Sequence, residues 1–511
     1  MANLAGILTD TAARVPERTV LKLDETVISY ASLDAMSAKV AGVLAARGIQ
    51  PGDRVALVMP NIPQMAFIYY GALRYGAVVV PMNPLLKARE VAYHLQDSGA
   101  RIVFAWEGVA AEVAAGAEEA GGVEVVSVDS VEFLQLLSEA DSRPEVASVD
   151  EEDVAVILYT SGTTGRPKGA ALTHRNLLTN AEVARSLLTT LETDVIFGGL
   201  PFFHVFGQTA ALNSAVLSGA SISLLPRFDA GKALEIIERD RVTIFEGVPT
   251  MYVGMLRNPA VKTTDLSSLR GAITGGSAMP LEVLHEFEEV FGIHLLEGYG
   301  LSETSPIVSF NLPDRERKAG SIGQAVTGME VRMLDADGKD VPEGEIGELS
   351  VRGEGVMKGY WRNDDATAAA IPDGWFRSGD LARFDAEGNI YIVDRKKDVI
   401  LRGGYNVYPR EVEEVLYEHP AVAEAAVIGV PDDLHGEEIV AVVGLREEAA
   451  PADGAAREAL AAEIQQFAKD RLAAYKYPRR IEITEALPKG PTGKILKREI
   501  KVGAPAEAPG A

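Results

Sequence analysis

Residues 159–169 read YTSGTTGRPKG, and they follow an apolar run, Val154, Ala155, Val156, Ile157 and Leu158, with the length and branching of a buried strand. Gly162, Gly165 and Gly169 let backbone N–H groups come close to a ligand, and the hydroxyls of Thr160, Ser161, Thr163 and Thr164 add donors. Lys168 adds a positive charge. Together these make a cradle for phosphate oxygens, set between a strand at 154–159 and a helix expected over 173–188. The pattern G-x-x-x-x-G-K-[ST] is absent, so this is not the loop of an ordinary P-loop ATPase.

On the N-terminal side of this loop, helical and strand patterns alternate. Residues 33–47 carry apolar side chains at helical spacing and stop at Gly48. A turn at Pro51, Gly52 and Asp53 leads into a strand at 54–59, a helix at 63–75 and a strand at 77–80. Such alternation predicts a parallel sheet covered by helices. Residues 105–150, rich in Ala and Glu, read as a variable surface region. On the C-terminal side a strand is expected at 220–225, and the texture changes after about 310. Segments 331–334 and 348–351, then 381–384 and 390–393, read as antiparallel hairpins. A smaller α+β section begins near Lys397, with a helix at 411–417, a strand at 425–430 and a helix at 457–472, so the main boundary is expected at 394–397.

A chain of 511 residues exceeds what one core supports. With 47% apolar and 24% charged residues it has the composition of a folded globular protein. The formal net charge of −25 argues against non-specific nucleic-acid binding, which needs a basic face. The absence of cysteine excludes disulfides, thiolate metal sites and cysteine nucleophiles. The opening MANLAGILTDTAARVPERTV lacks the basic and apolar regions of a secretory signal, and no stretch of about twenty apolar residues predicts a spanning helix. A cytoplasmic location is expected, and the Ala/Pro/Gly-rich tail 503–511 is expected to be disordered.

Further motifs recur along the chain. Glu297, Gly298, Tyr299, Gly300, Leu301, Ser302, Glu303 and Thr304 could present an aromatic face to adenine, and a hydroxyl and a carboxylate to phosphate and Mg²⁺. Taken alone, the same residues are equally a surface turn. His204 stands in PFFHVFG at 201–207, where a lone histidine among aromatics is as a rule a packed core residue. No His-x-x-x-His pair accompanies it, which disfavours zinc. Asp380 ends WFRSGD at 375–380, and a carboxylate with two acceptor oxygens matches a vicinal diol. Arg395 and Lys397 lie in DRKKD at 394–398, which could be a solvated charge cluster. Gly403 and Gly404 would give clearance to a linear chain, or form a simple turn. Lys494 stands in PKGPTGKI at 488–495, a stiff loop with one mobile cation.

In this order, from about Ala31 to Ile500, these motifs resemble those of the adenylate-forming superfamily of acyl-CoA synthetases, peptide-synthetase adenylation domains and luciferases, and most of all bacterial fatty-acyl-CoA ligases. The resemblance implies an α/β chain. It would have a large N-terminal domain (1–394) of two helix-covered β-sheet subdomains plus a small β-barrel-like part, a hinge at 395–397, and a small mobile α+β C-terminal domain (398–502). It also implies an ATP-dependent ligase that activates a medium- or long-chain fatty acid as an acyl-adenylate and passes it to coenzyme A. The alternatives are an aryl-CoA (coumarate-like) ligase, an acyl-AMP ligase loading a carrier protein, and an inactive nucleotide- or lipid-binding protein. Fatty acid, ATP and CoA are the expected partners, with room for peripheral membrane contact and for oligomers.

By the same resemblance, ATP lies against Thr160, Ser161, Gly162, Thr163, Thr164 and Lys168, and against Gly276, Ser277, Ala278, Glu297 and Gly298. Tyr299 stacks on adenine, Ser302 meets the α-phosphate, and Asp380 and Arg395 hold the ribose, with Asn406 nearby. Many relatives have Thr where Ser302 stands, which keeps the hydroxyl. Glu303 and Thr160 hold Mg²⁺, Lys494 is the catalytic lysine of adenylation, and Lys397 is the hinge. His204, Phe206, Ala210, Gly275 and Gly276 line the acyl pocket, and Arg402, Gly403 and Gly404 the CoA tunnel. Amino-acid-activating relatives place an Asp near His204; Phe202, Phe203 and Phe206 here favour an apolar acyl chain.

Overall fold

The computed structural model describes residues 2–160, 166–312, 315–432, 434–490 and 493–502. Four sheets organise them. The first has seven strands in the order Gly359–Tyr360, Lys168–Thr173, Val154–Thr160, Val78–Met82, Arg54–Val58, Ala100–Ala105 and Glu124–Ser127. Its last five strands are parallel, as the alternating pattern predicts, and both of its faces are covered. The helices Tyr30–Ala46 and Pro63–Tyr75 pack against each other beside it, and the second keeps Met65, Ile68, Tyr69 and Leu73 wholly buried. Pro63 opens that helix where its missing N–H costs nothing, and Gly76 closes it at φ +82°.

A nine-stranded sheet forms the second layer. Its centre runs Leu295–Gly300, Gly271–Thr274, Ile244–Gly247, Val195–Gly198, Ser221–Leu224 and Thr19–Leu23, all parallel. Side chains alternate between its faces. Phe197 and Phe245 stack on one side, 4.6 Å apart, against Tyr252, with Phe287 behind it. Ile196, Ile244 and Ile273 belong to the core on the other side, which also holds Phe202 and Leu212. The small third part is an antiparallel sheet of Met329–Leu334, Gly347–Gly353, Phe376–Phe384 and Ile390–Arg395, the two expected hairpins joined edge to edge.

The C-terminal sheet contains Tyr405–Val407, Ile400–Arg402, Gly436–Leu445, Val422–Asp432 and Arg480–Thr484. It has its own core, built from Val412, Leu416, Val427, Ala441, Ile464 and their neighbours, beneath the helices Pro409–Tyr417 and Gly454–Arg471.

Two readings of the sequence need correction. The strand Val154–Thr160 is followed in the described residues not directly by a helix but by the strand Lys168–Thr173, which runs antiparallel to it before the helix His174–Leu187 begins. The short run Ala170, Ala171, Leu172 is buried on pairing, a tertiary effect that its small side chains do not announce. Residues 105–150 are likewise not only surface. Glu124–Ser127 is the edge strand of the seven-stranded sheet, and the helix Val131–Glu139 buries Phe133 and Leu137 in the main core.

Candidate active site

The C-terminal ends of the central strands, the antiparallel sheet and the 494 loop meet in one cleft. Asp380 and Arg395 are cross-strand partners in the antiparallel sheet, so pairing alone sets them face to face. Arg395 Nε forms an ion pair with Asp380 Oδ1 at 2.7 Å, and the Tyr299 hydroxyl donates to Asp380 Oδ2. Ser378 Oγ accepts from the Asp380 backbone N–H at 3.0 Å. Asp380 is buried, and burial together with its carboxylate pushes the Tyr299 hydroxyl well above its ordinary pKa. Tyr299 is therefore a permanent donor, and Asp380 is engaged on both oxygens.

A second group forms at the neighbouring sheet edge. Glu303 lies in the single 3₁₀ turn Ser302–Thr304, which also carries half-buried Ser302. Its Oε1 accepts from Thr160 Oγ1 at 3.1 Å and from the Tyr360 hydroxyl at 3.0 Å. The structure thus brings together the two expected magnesium ligands. Their donor set, carboxylate and hydroxyl oxygen, fits Mg²⁺. Tyr360 is a residue that sequence reasoning missed. It pairs with Ala170 at the end of the seven-stranded sheet, and the Lys168 ammonium lies 5.1 Å from the centre of its ring. Ser161, Gly162, Thr163 and Thr164 lie outside the described residues.

Lys494 reaches the cleft from the C-terminal domain. Burial, then the nearby Arg395 cation, lower its pKa to about 8, against the pull of Asp380 and Asp398. The loop is seated by Thr250 Oγ1, which donates to the Gly493 carbonyl at 3.1 Å. Gly493 has φ +80°, and a Cβ there would fall 2.5 Å from Thr250 Oγ1, so glycine is required twice over. Glu414 of the C-terminal domain accepts from the Leu281 N–H at 3.3 Å, at the start of the helix Leu281–Phe291, where a carboxylate suits the exposed amides. Ser277 and Ala278 line the same crevice between the domains, beside Arg410 and Lys494.

His204 is half-buried, and burial with the nearby Lys494 charge lowers its pKa to about 4. Its Nδ1 accepts from the Phe206 N–H at 3.2 Å, so the neutral ring carries its proton on Nε2, where it can donate to a carboxylate. Phe206 lies over Gly275: a Cβ at 275 would stand 3.3 Å from the ring. Gly276, at φ +81°, packs next to Val248, and Ala210 is buried in the helical turn Gly207–Asn213. Glu297 is buried. Its Oε1 accepts from Met279 N–H at 3.2 Å, and burial lifts its carboxyl to about 7. Gly298 sits against Phe310, where a Cβ would meet the ring at 2.6 Å.

Five expected residues lie outside this hydrogen-bonded cluster. Asn406 is exposed on the strand Tyr405–Val407. Arg402 is engaged by Glu438 through Nε at 2.6 Å and Nη2 at 2.9 Å, so its guanidinium is committed inside its own domain. Gly403 and Gly404, at φ +57° and +82°, form an exposed turn. Lys397 is exposed in the turn closed by the Asp398 N–H to Arg395 carbonyl bond of 2.9 Å.

Comparison with known proteins agrees with this geometry. Residues 8–361 match the family described as "AMP-binding enzyme", and residues 411–494 match "AMP-binding enzyme C-terminal domain". The chain is 38% identical to a long-chain-fatty-acid–CoA ligase of Bacillus subtilis over 98% of its own length and 94% of the relative's. It is 39% identical to a feruloyl-CoA synthase of an Amycolatopsis species, over 95% and 96% of the two chains. The crystal structure of ATP-bound MatB from Rhodopseudomonas palustris superposes with a TM-score of 0.89 at 33% identity, covering 97% of both chains.

Proposed function

The chain belongs to the AMP-binding enzyme family, among its acyl-CoA ligases, and from that premise we propose that it joins a medium- or long-chain fatty acid to coenzyme A through an acyl-adenylate, releasing AMP and pyrophosphate. The observation that carries this reading is the meeting of Lys494 with the Arg395–Asp380–Tyr299 group on one side and His204 on the other. The fatty-acid relative and the apolar surroundings of His204 support the substrate class.

The first step must bring a carboxylate to the α-phosphate of ATP, anion against polyanion. One carboxylate oxygen bonds to phosphorus, the bond to the β-phosphate bridging oxygen breaks, and pyrophosphate departs. Catalysis is then mostly positioning and neutralisation of charge. Asp380 takes the ribose hydroxyls, and Tyr299 offers its ring to adenine. Neutral His204 orients the acid through Nε2–H, and Lys494 stands beside the reacting oxygens. Glu303 and Thr160 would hold Mg²⁺, which neutralises phosphate charge when bound. In the second step the thiol sulfur, giving its proton to solvent, bonds to the acyl carbon, the bond from that carbon to the AMP oxygen breaks, and AMP leaves. For this the small domain, residues 398–502, would turn about 395–397, withdraw Lys494 and bring Gly403 and Gly404 to the cleft. The inward seat of Lys494 corresponds to the first step.

The feruloyl-CoA synthase relative favours a second reading, an aryl acid as substrate. CoA-dependent AMP formation should be measured with acids from acetate to palmitate, benzoate and coumarate. Highest kcat/KM on acids of eight carbons or more supports the fatty-acid reading, a preference for coumarate replaces it with the aryl one, and no AMP with any acid removes both.

A further inference from the structure

The chemistry above leaves one buried carboxyl without a task. Glu246 lies in the strand Ile244–Gly247, is 3% exposed, and its Oε2 has no hydrogen-bond partner among the described residues. Burial lifts the carboxyl to about 8, so at neutral pH the group is largely uncharged and offers both a donor and an acceptor. An apolar residue would fill a sheet interior without that loss. A group from outside the chain, a water or a ligand, would complete its hydrogen bonding.

Its direction follows from the strand. Phe245 points to the face where Phe197 and Tyr252 lie. Glu246 takes the opposite face, with its cross-strand neighbour Ile273 and with Ile244 and Ile196. That face packs against the segment holding Phe202, Phe206 and Leu212, which carries His204 and Ala210. One residue further on, the Gly247 carbonyl accepts from Gly275 N–H at 3.4 Å, and Val248 lies against Gly276 and clusters with Leu200, Met251 and Phe206. Glu246 thus stands in the wall that Gly275 and Phe206 continue.

We propose that Glu246 is a specificity-determining residue of the acyl site, hydrogen-bonded to an oxygen substituent on the acyl group, so that hydroxy or oxo acids are preferred over the unsubstituted acid of equal length. The inference rests on the acid–CoA ligase reading and narrows its substrate class. The test is kcat/KM for CoA-dependent AMP formation on dodecanoate, its 2-, 3- and 12-hydroxy forms and 3-oxododecanoate, with cinnamate against coumarate as the aryl pair. Wild-type enzyme should favour one oxygenated acid by about 10-fold or more over its parent. Glu246→Leu should bring that ratio close to one, and Glu246→Gln, which keeps hydrogen bonding, should retain part of it. The unliganded Leu variant should melt at or above the wild-type temperature, because a partnerless carboxyl has been removed. AMP formation without any preference, or a preference that survives Glu246→Leu, overturns this inference and leaves the ligase reading standing. If the Leu variant does not fold, the ratio in Glu246→Gln decides: a value equal to wild type overturns the inference. No AMP with any of the acids overturns both.

Discussion

Lys494 holds its charge against burial and against Arg395, and its pKa falls to about 8. An ordinary lysine stays protonated to much higher pH. As pH rises, the folded protein therefore loses this proton first. On the proposed mechanism, the cation that assists the first step is lost above about pH 8. The kcat/KM of adenylation, read as pyrophosphate release, should decline above about pH 8. Lys494→Arg, always charged, should lose that limb, while Lys494→Ala should lower the rate on the order of 10²–10³-fold. Tyr360→Phe removes one of the two hydroxyls on Glu303 and should weaken the Mg²⁺ dependence of the same assay by about 10-fold. Tyr360 was not legible in the sequence, nor was Glu246 as a wall residue. Each is a single residue in a common strand pattern, and only folding gives it neighbours. Thr160, Glu303, Asp380 and Lys494 were legible because each sits in a run whose glycines, hydroxyls and charges have no use in a packed core.

At the scale of elements, the loop that carries Lys494 is fixed by one short contact. Gly493→Ala would force a Cβ onto Thr250 and strain a left-handed backbone. It should slow adenylation on the order of 10²-fold by misplacing the cation, while transfer of a supplied acyl-adenylate to CoA continues near the wild-type rate. Separate assays of the two half-reactions check this. Strands with long apolar runs, such as Val154–Thr160, and helices marked by Pro and Gly, such as Pro63–Tyr75, could be placed from sequence almost to the residue. The strand Lys168–Thr173 could not, because Gly169, Ala170 and Ala171 carry too little side chain to show a period, and their burial comes from pairing with Val154–Thr160 on one edge and Gly359–Tyr360 on the other.

Across the whole molecule, the contacts of the small domain with the large one include Glu414 at Leu281, Gly493 at Thr250, and Arg410 at Asp394 and the Ile392 carbonyl, polar contacts that can be exchanged with little cost. Such a seat suits a domain that must leave it. The turn at 395–398 is the covalent link, and Lys397 sits in it exposed. Lys397→Pro should spare pyrophosphate release and impair thioester formation; equal loss of both half-reactions would count against a hinge there. The motif order along the chain announced two domains, but the present docking could not be read from it, since the same motifs serve either orientation.

Asp380 is paired with Arg395 on one oxygen and accepts from Tyr299 on the other, and each oxygen keeps a lone pair free. On the proposed reading those lone pairs take the two hydroxyls of the sugar, and a nucleotide missing its 2′-hydroxyl can offer only one. The enzyme should accordingly tell ATP from dATP by roughly 10–100-fold in kcat/KM, a discrimination exercised far from the reacting phosphorus and independent of which acid is bound.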